Sequence, residues 1–243
     1  MSAPLLVTEV VPQTFATFDV ATEDGKRELR QRYGRADASY VRLNMITSLT
    51  GSAVGSDGTS ETLTSRADRG ILGAIRRDAD VVLVGAQTVR AEGYIVPRTA
   101  RLAVVTSSGD LSGLRLRDDD GVVDRVLVLC PAGRADAVAG QIGGPGIRVV
   151  PVDGDDGMRP ADMLDALAAL GHRRVVCEGG PTLATAFAAS GVIDEYCVTV
   201  APALEPTMHP FLRLTAYASP ATEVAGMLVD AAGFSYLRLR TRR

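Results

Sequence analysis

The stretch Val175-Val176-Cys177-Glu178-Gly179-Gly180-Pro181-Thr182-Leu183 sets a carboxylate, paired glycines and a helix start in immediate succession. Val175 to Cys177 are apolar and β-favouring, so they read as a buried strand that delivers Glu178 and then turns into a helix with Pro181 in its first turn. Open α/β sheets bind ligands at the carboxyl ends of their strands. The unpaired NH groups of a helix start, here Gly179 to Leu183, attract phosphate. The same glycines would also serve an ordinary strand-to-helix corner, so this stretch alone decides nothing. Two further segments share its character. One is Val81 to Gly85 followed by Thr88, and the other is Leu102 to Val105 followed by Thr106, Ser107 and Gly109. Three strand ends carrying glycines and hydroxyls imply one long groove for a phosphate-bearing ligand. Gly140 to Gly146 has a similar glycine spacing but precedes a strand, so the dinucleotide fingerprint of a βαβ unit is missing.

These residues need elements to hold them, and strands and helices alternate from Tyr40 onward. Strands are expected at Tyr40 to Thr47, near 81–84, 101–106 and 125–130, and at Ile147 to Val150. Thr64 or Ser65 caps a helix running to Arg77, with Ile71, Leu72 and Ile75 on one face. Further helices are expected at Arg134 to Gln141 and at Pro160 to Leu170, the latter stopped by Gly171. The acidic run Asp118 to Asp120 reads as a solvated loop. Tyr196 to Val200 and Phe211 to Ala216 read as strands, and Glu223 to Val229 with Phe234 to Arg240 as a hairpin turning at Asp230 to Gly233. The expected fold is α/β, a mostly parallel central sheet flanked by helices with an antiparallel C-terminal edge hairpin. Residues 1–39, with one helix at Glu23 to Tyr33, read as an arm packing on a single domain at 40–243.

Composition narrows the function classes. The 243 residues are 46% hydrophobic and 23% charged, as in a water-soluble globular chain. A net charge of −3 argues against a general nucleic-acid binder. Met1 to Phe18 lacks the pattern of a signal peptide, and no apolar run reaches membrane-spanning length. The three cysteines, Cys130, Cys177 and Cys197, all fall in expected strands and read as buried thiols of a reducing cytoplasm. The two histidines have no ligand-like neighbours, so no metal site is expected.

Taken in order, Asn44-x-x-x-Ser48-Leu49-x-Gly51, Gly58-x-Ser60, Thr64-Ser65, Ile75-Arg76, Val84-Gly85-x-x-Thr88-Val89 and Glu178-Gly179-Gly180-Pro181-Thr182-Leu183 resemble one family. It is the reductase domain of the bifunctional riboflavin-biosynthesis deaminase–reductase, with its stand-alone pyrimidine-reductase relatives in actinobacteria. Val192 to Tyr196 and Ala201-Pro202 match as well, and the likeness spans roughly residues 40–240. It implies a dihydrofolate-reductase-like fold, a homodimer, and NADPH-dependent reduction of a phosphorylated ribosylamino-pyrimidine to its ribityl form. It further implies that Gly85, Thr88, Glu92, Thr106, Ser107 and the run Gly179, Gly180, Pro181, Thr182, Leu183 to Ala186 hold the cofactor. Asn44, Ser60, Arg76 and Glu178 then face the substrate, Arg76 as a clamp for the 5′-phosphate. Each has a plainer alternative: a helix-end arginine for Arg76, a strand-end salt bridge for Glu178, a buried structural amide for Asn44. Arg90 and Arg98 are candidates for the cofactor's 2′-phosphate, or simple surface charges. Thr50 stands where the family carries an aspartate, at a position read with Glu178 as catalytic, and threonine carries no charge. The glycine usual after the Ala-Pro dipeptide is absent from Ala203 to Pro206. Reduction of another pterin- or folate-like heterocycle, or a non-catalytic nucleotide-binding role, therefore stays open. A deaminase activity is excluded, since no H-x-E with P-C-x-x-C occurs.

Overall fold

A computed structural model describes residues 3–117, 125–142, 146–154, 158–215 and 219–242. In chain order its elements are β1 (Leu6–Val11), β2 (Thr17–Asp19), α1 (Glu23–Tyr33), β3 (Tyr40–Ser48), α2 (Arg66–Arg77), β4 (Val81–Gly85), α3 (Ala86–Glu92), β5 (Tyr94–Ile95), β6 (Arg101–Val105) and β7 (Leu116–Arg117). They continue with β8 (Val126–Pro131), a 3₁₀ turn at Ala132–Arg134, α4 (Ala135–Ala139), β9 (Ile147–Val152), α5 (Pro160–Ala169), β10 (Arg174–Gly179), α6 (Pro181–Ala189), β11 (Glu195–Ala201), β12 (Thr222–Asp230) and β13 (Ser235–Thr241).

Among the described residues the strands make one eleven-stranded sheet, in the order β2-β1-β12-β13-β11-β3-β10-β4-β6-β8-β9, and the small pair β5-β7. From β11 to β9 neighbours run parallel, and from β11 to β2 they run antiparallel. The unbroken apolar runs of β4, β6 and β8 suit strands covered on both faces. Leu29, Tyr33, Ile71, Ile75 and Val89 pack from α1, α2 and α3 on one side. Met163, Leu167, Leu183 and Phe187 pack from α5 and α6 on the other. Each fully buried side chain of this size contributes about 1.5–3 kcal/mol.

The N-terminal segment does more than lie over the core. Its β1 pairs with β12 and its β2 with β1, so it lengthens the antiparallel edge. Phe211 to Leu214 are not a strand. Phe211 N instead donates to Gly51 O and Arg213 N to Thr185 Oγ1, which ties the segment to the β3 turn and to α6. Only an isolated antiparallel bridge, Ser52 to Pro210, forms beside it, so no ladder develops among the described residues. The expected helix at Arg134 to Gln141 shortens to α4 behind its 3₁₀ turn. Asp118 to Asp120, residues 143–145 of the glycine-rich stretch, and Ala216 lie outside the described residues. No helix among the described residues is long and apolar enough to cross a membrane.

Candidate active site

The three glycine- and hydroxyl-bearing strand ends belong to β10, β4 and β6, which are consecutive in the sheet. The turn after β10 is built for close backbone approach. Gly179 has φ +78°, and a Cβ there would lie 2.6 Å from Met45 Sδ. Gly180 N donates to Thr88 Oγ1 at 3.0 Å, and a Cβ on Gly180 would meet that oxygen at 2.5 Å. Gly85, the N-cap of α3, faces Gly179 O at 3.6 Å from its would-be Cβ. The β4–α3 and β10–α6 corners thus touch, and it is the β10–α6 side, at Gly179 and Gly180, that leaves no room for a Cβ. Thr88 receives Gly180's NH and keeps its own proton for another acceptor. The NH groups of Thr182 and Leu183, in the first turn of α6, have no carbonyl four residues back within the helix. At β6, Thr106 is buried and its hydroxyl receives Gly109 N at 3.1 Å, closing the turn, while Ser107 beside it is exposed.

On the α2 side of the sheet β11, β3 and β10 present Thr199, Asn44 and Glu178, Asn44 from mid-strand and Glu178 from the carboxyl end. In register Cys197 pairs with Asn44 and Cys177 with Leu43, so Asn44 and Glu178 stand level on adjacent strands. Glu178 takes a bidentate fork from Arg76, Nε to Oε1 at 2.7 Å and Nη2 to Oε2 at 2.6 Å. Tyr94 Oη donates a short bond to the same Oε2 and accepts from Arg76 Nη2 at 2.9 Å. The Arg76 guanidinium also lies over the Tyr94 ring, 5.4 Å from its centroid. The Glu178 side chain is only 7% exposed. Burial opposes the charge on Arg76, but the Glu178 carboxylate outweighs it and raises the arginine's pKa.

At the other end of α2, Asp68 accepts from Thr64 Oγ1 at 2.6 Å and from Thr199 Oγ1 at 2.7 Å. Ser65 caps the helix by receiving Asp68 N. Ser60 gives both its N and its Oγ to Glu92, each at 3.1 Å, so an expected substrate residue and an expected cofactor residue clip the loop before α2 to α3. Burial lifts the Glu92 carboxyl above its ordinary range against those two bonds.

The remaining expected residues are placed as follows. Thr50 donates to Glu205 O at 2.5 Å and receives Glu205 N at 3.0 Å, with Ser48 Oγ 2.8 Å away. It clasps the segment after β11. Arg90 is spent on carbonyls, Nε to Ser112 O and Nη2 to Asp110 O, at 2.8 and 2.7 Å. Arg98 is exposed. Cys130, Cys177 and Cys197 are buried and unpaired, and burial pushes Cys177 and Cys197 up to about 12. No group of three or more metal-ligating side chains occurs among the described residues. Tyr94, Asp68 and Thr199 escaped the motif reading. Asp68 had left a signal, since it falls at i, i+3, i+7 with Ile71 and Ile75, a charge on an otherwise apolar helix face.

The sequence profile of the RibD C-terminal domain matches residues 39–204. Riboflavin biosynthesis protein RibD of Mycobacterium tuberculosis (strain H37Rv) is 31% identical over 172 residues, 70% of this chain and 44% of the relative. The chain thus aligns with less than half the length of that protein. Among solved structures, a pyrimidine reductase-like protein from Corynebacterium diphtheriae superposes with a TM-score of 0.71 at 21% identity, covering 88% of this chain and 98% of the other. RibD of Acinetobacter baumannii gives 0.66 at 20% identity, covering 86% and 60%. The riboflavin biosynthesis reductase Rib7 of Saccharomyces cerevisiae gives 0.61 at 15% identity, covering 90% and 100%. The fold shared with these structures is dihydrofolate-reductase-like, and with the profile spanning most of its length the chain belongs to the RibD C-terminal domain family.

Proposed function

We propose that this chain reduces the ribosylamino group of a phosphorylated aminopyrimidine to its ribitylamino form, using NADPH, as a step of riboflavin biosynthesis in the cytoplasm. The observation that carries this reading is that β10 serves both halves of the site. Glu178 at its end is forked by Arg76 of α2, and one residue later the chain makes the glycine turn at the start of α6. A phosphate-bearing cofactor over β10, β4 and β6 would therefore lie beside a substrate over β11, β3 and β10.

The residues present fit a dinucleotide. The Gly85, Gly179 and Gly180 backbones leave no side chain in the way, the first-turn NH groups of α6 suit a diphosphate, and Thr88 and Ser107 supply hydroxyls. When bound, the reduced nicotinamide supplies a hydride. The protein's own work is positional: holding the pyrimidine ribosylamine at the β3 and β10 ends, excluding water with α2, and fixing charge through Glu178 and Arg76. Among the described residues Arg76 is the only arginine forked onto Glu178, and its guanidinium suits the 5′-phosphate. In that reading the phosphate competes with Glu178 for Arg76.

The test is to supply 5-amino-6-(5-phosphoribosylamino)uracil with NADPH or NADH and follow nicotinamide oxidation alongside the ribitylamino product. Oxidation matched by product, faster with NADPH, is expected. Folded protein that oxidises neither cofactor would overturn the reading. The Arg76–Glu178 pair favours one second reading, reduction of an unphosphorylated, pterin-like heterocycle, because the arginine is already neutralised. Preference for a dephosphorylated substrate would select it.

A further inference from the structure

Arg76 and Glu178 share a third partner, the phenol of Tyr94. Its Oη donates to Glu178 Oε2 and accepts from Arg76 Nη2 at 2.9 Å. Among the described residues Arg76 and Tyr94 are the only donors to the Glu178 carboxylate. The two ions differ in access. The Arg76 side chain is 21% exposed and that of Glu178 7%, so an incoming anion reaches the guanidinium and not the carboxylate. Arg76 and Tyr94 differ in anchorage. Arg76 extends on a long stem from the last turn of α2. Tyr94 sits in β5, where its N donates to Arg115 O at 2.9 Å and its pairing with Leu116 joins β5 to β7. Gly93, with φ +67°, ends α3 immediately before it. The Tyr94 phenol is therefore fixed from an element that owes nothing to Arg76, and it stays in place when the guanidinium turns away.

A phosphate that draws Arg76 away leaves the Glu178 carboxylate a buried anion without a cation, which is costly unless a donor remains. We infer that Tyr94 is the positioning residue for this exchange: its phenol holds the Glu178 carboxylate while Arg76 passes from Glu178 to the substrate's phosphate. This rests on the reductase reading, in which Arg76 clamps the 5′-phosphate, and adds to it the group that lets the arginine leave. Removing the phenol has two opposed effects. It deletes an acceptor of Arg76, which loosens the arginine, and it deletes a donor to Glu178, which makes the carboxylate depend on the arginine alone. The second effect dominates. On binding, Arg76 exchanges one charged partner for another, whereas Glu178 would exchange its partner for none.

Calorimetric titration of the full chain with ribose 5-phosphate, and separately with NADPH, tests this in the native protein, Tyr94→Phe, Glu178→Gln and the double variant. Tyr94→Phe removes one oxygen and leaves the ring under the guanidinium. It should bind ribose 5-phosphate about tenfold more weakly, as expected when a hydrogen bond to a charged group is lost, with NADPH unchanged. In the Glu178→Gln background the same replacement should cost nothing, because no buried charge is left behind. The double variant should then bind ribose 5-phosphate as Glu178→Gln does. A tyrosine that merely shaped the surroundings of Arg76 would cost the same in both backgrounds, and that result would overturn the inference. So would unchanged or tighter ribose 5-phosphate binding in Tyr94→Phe, or loss of both ligands together. Arg76→Ala that binds ribose 5-phosphate as the native protein does would remove the clamp, and this inference with it, whatever Tyr94→Phe shows.

Discussion

Glu178 occupies the guanidinium that a substrate phosphate would need, and this makes its removal informative. Replacing the carboxylate by an amide in Glu178→Gln frees Arg76 from a bidentate charged partner. Inorganic phosphate should then bind more tightly, by about tenfold, while Arg76→Ala in the same background should abolish the gain. Titration by calorimetry reads both, and equal phosphate affinity in native and Glu178→Gln protein would show that Arg76 is a structural partner alone. Thr50 yields a prediction opposite in sign to the one its position suggests. Restoring an acid there by Thr50→Asp would set a carboxylate against Glu205 O, which now accepts the threonine's proton. Turnover should not rise, and stability should fall by about 0.5–1.5 kcal/mol for the lost, exposed hydrogen bond. A faster, equally stable Thr50→Asp protein, seen by denaturant titration with an activity assay, would refute this.

The corner between β10 and α6 works only because its glycines let two turns touch. Gly180→Val should remove the NADPH-induced rise in melting temperature, since the new side chain would push Thr88 out of the contact. A thermal shift that survives the substitution would move the cofactor elsewhere. This corner was legible in the sequence because strand run, glycine pair and proline are local signals. So were α1, the Ser65 cap and the β12–β13 hairpin, each specified by residues within a few positions. What escaped was non-local. Leu6 to Val11 alternates weakly and becomes a strand because β12, more than 200 residues away, offers an edge. Arg76 and Glu178 are 102 positions apart, so the sequence suggested a role for each without showing that they meet. Phe211 to Leu214 alternates apolar and polar side chains as a strand would, but its backbone donors go to the β3 turn and α6.

Across the molecule, charge fastens the antiparallel edge. Glu9 of β1 receives Arg32 of α1 at 2.9 and 3.1 Å and Thr14 Oγ1 at 2.6 Å. Burial works against the Glu9 carboxylate, yet these bonds hold its pKa below the usual 4.5. A carboxyl depressed by folding stabilises fully above its unfolded pKa, and that contribution is lost as pH falls through the folded one. Amide exchange should therefore show β1 and β2 losing protection on acidification below about pH 4.5 before β4 and β10 do, and Glu9→Gln should remove the difference. The same scale bears on assembly. Leu49, Leu204 and Met208 are 67%, 77% and 76% exposed, and the turns carrying them are joined by Leu49 N to Ala203 O and by Thr207 Oγ1 to Thr50 O. We predict that a second copy covers this patch in a C₂ dimer. Light scattering should return about twice the 25.5 kDa chain mass, and a monomer at micromolar concentration would exclude it.

The sheet order has a temporal meaning as well. β3 lies between β10 and β11, so the strand made first among the three is flanked only by strands from the last third of the chain. During synthesis β3 leaves the ribosome with both edges bare until β10 is complete at residue 179, and with one edge bare until β11 is complete at residue 201, while β4, β6, β8 and β9 can already assemble in order. Asn44, Glu178 and Thr199 come side by side only on that late insertion. A nascent chain paused before β10 would carry an open parallel sheet and an orphan apolar strand, the exposed edges that invite chaperones or aggregation.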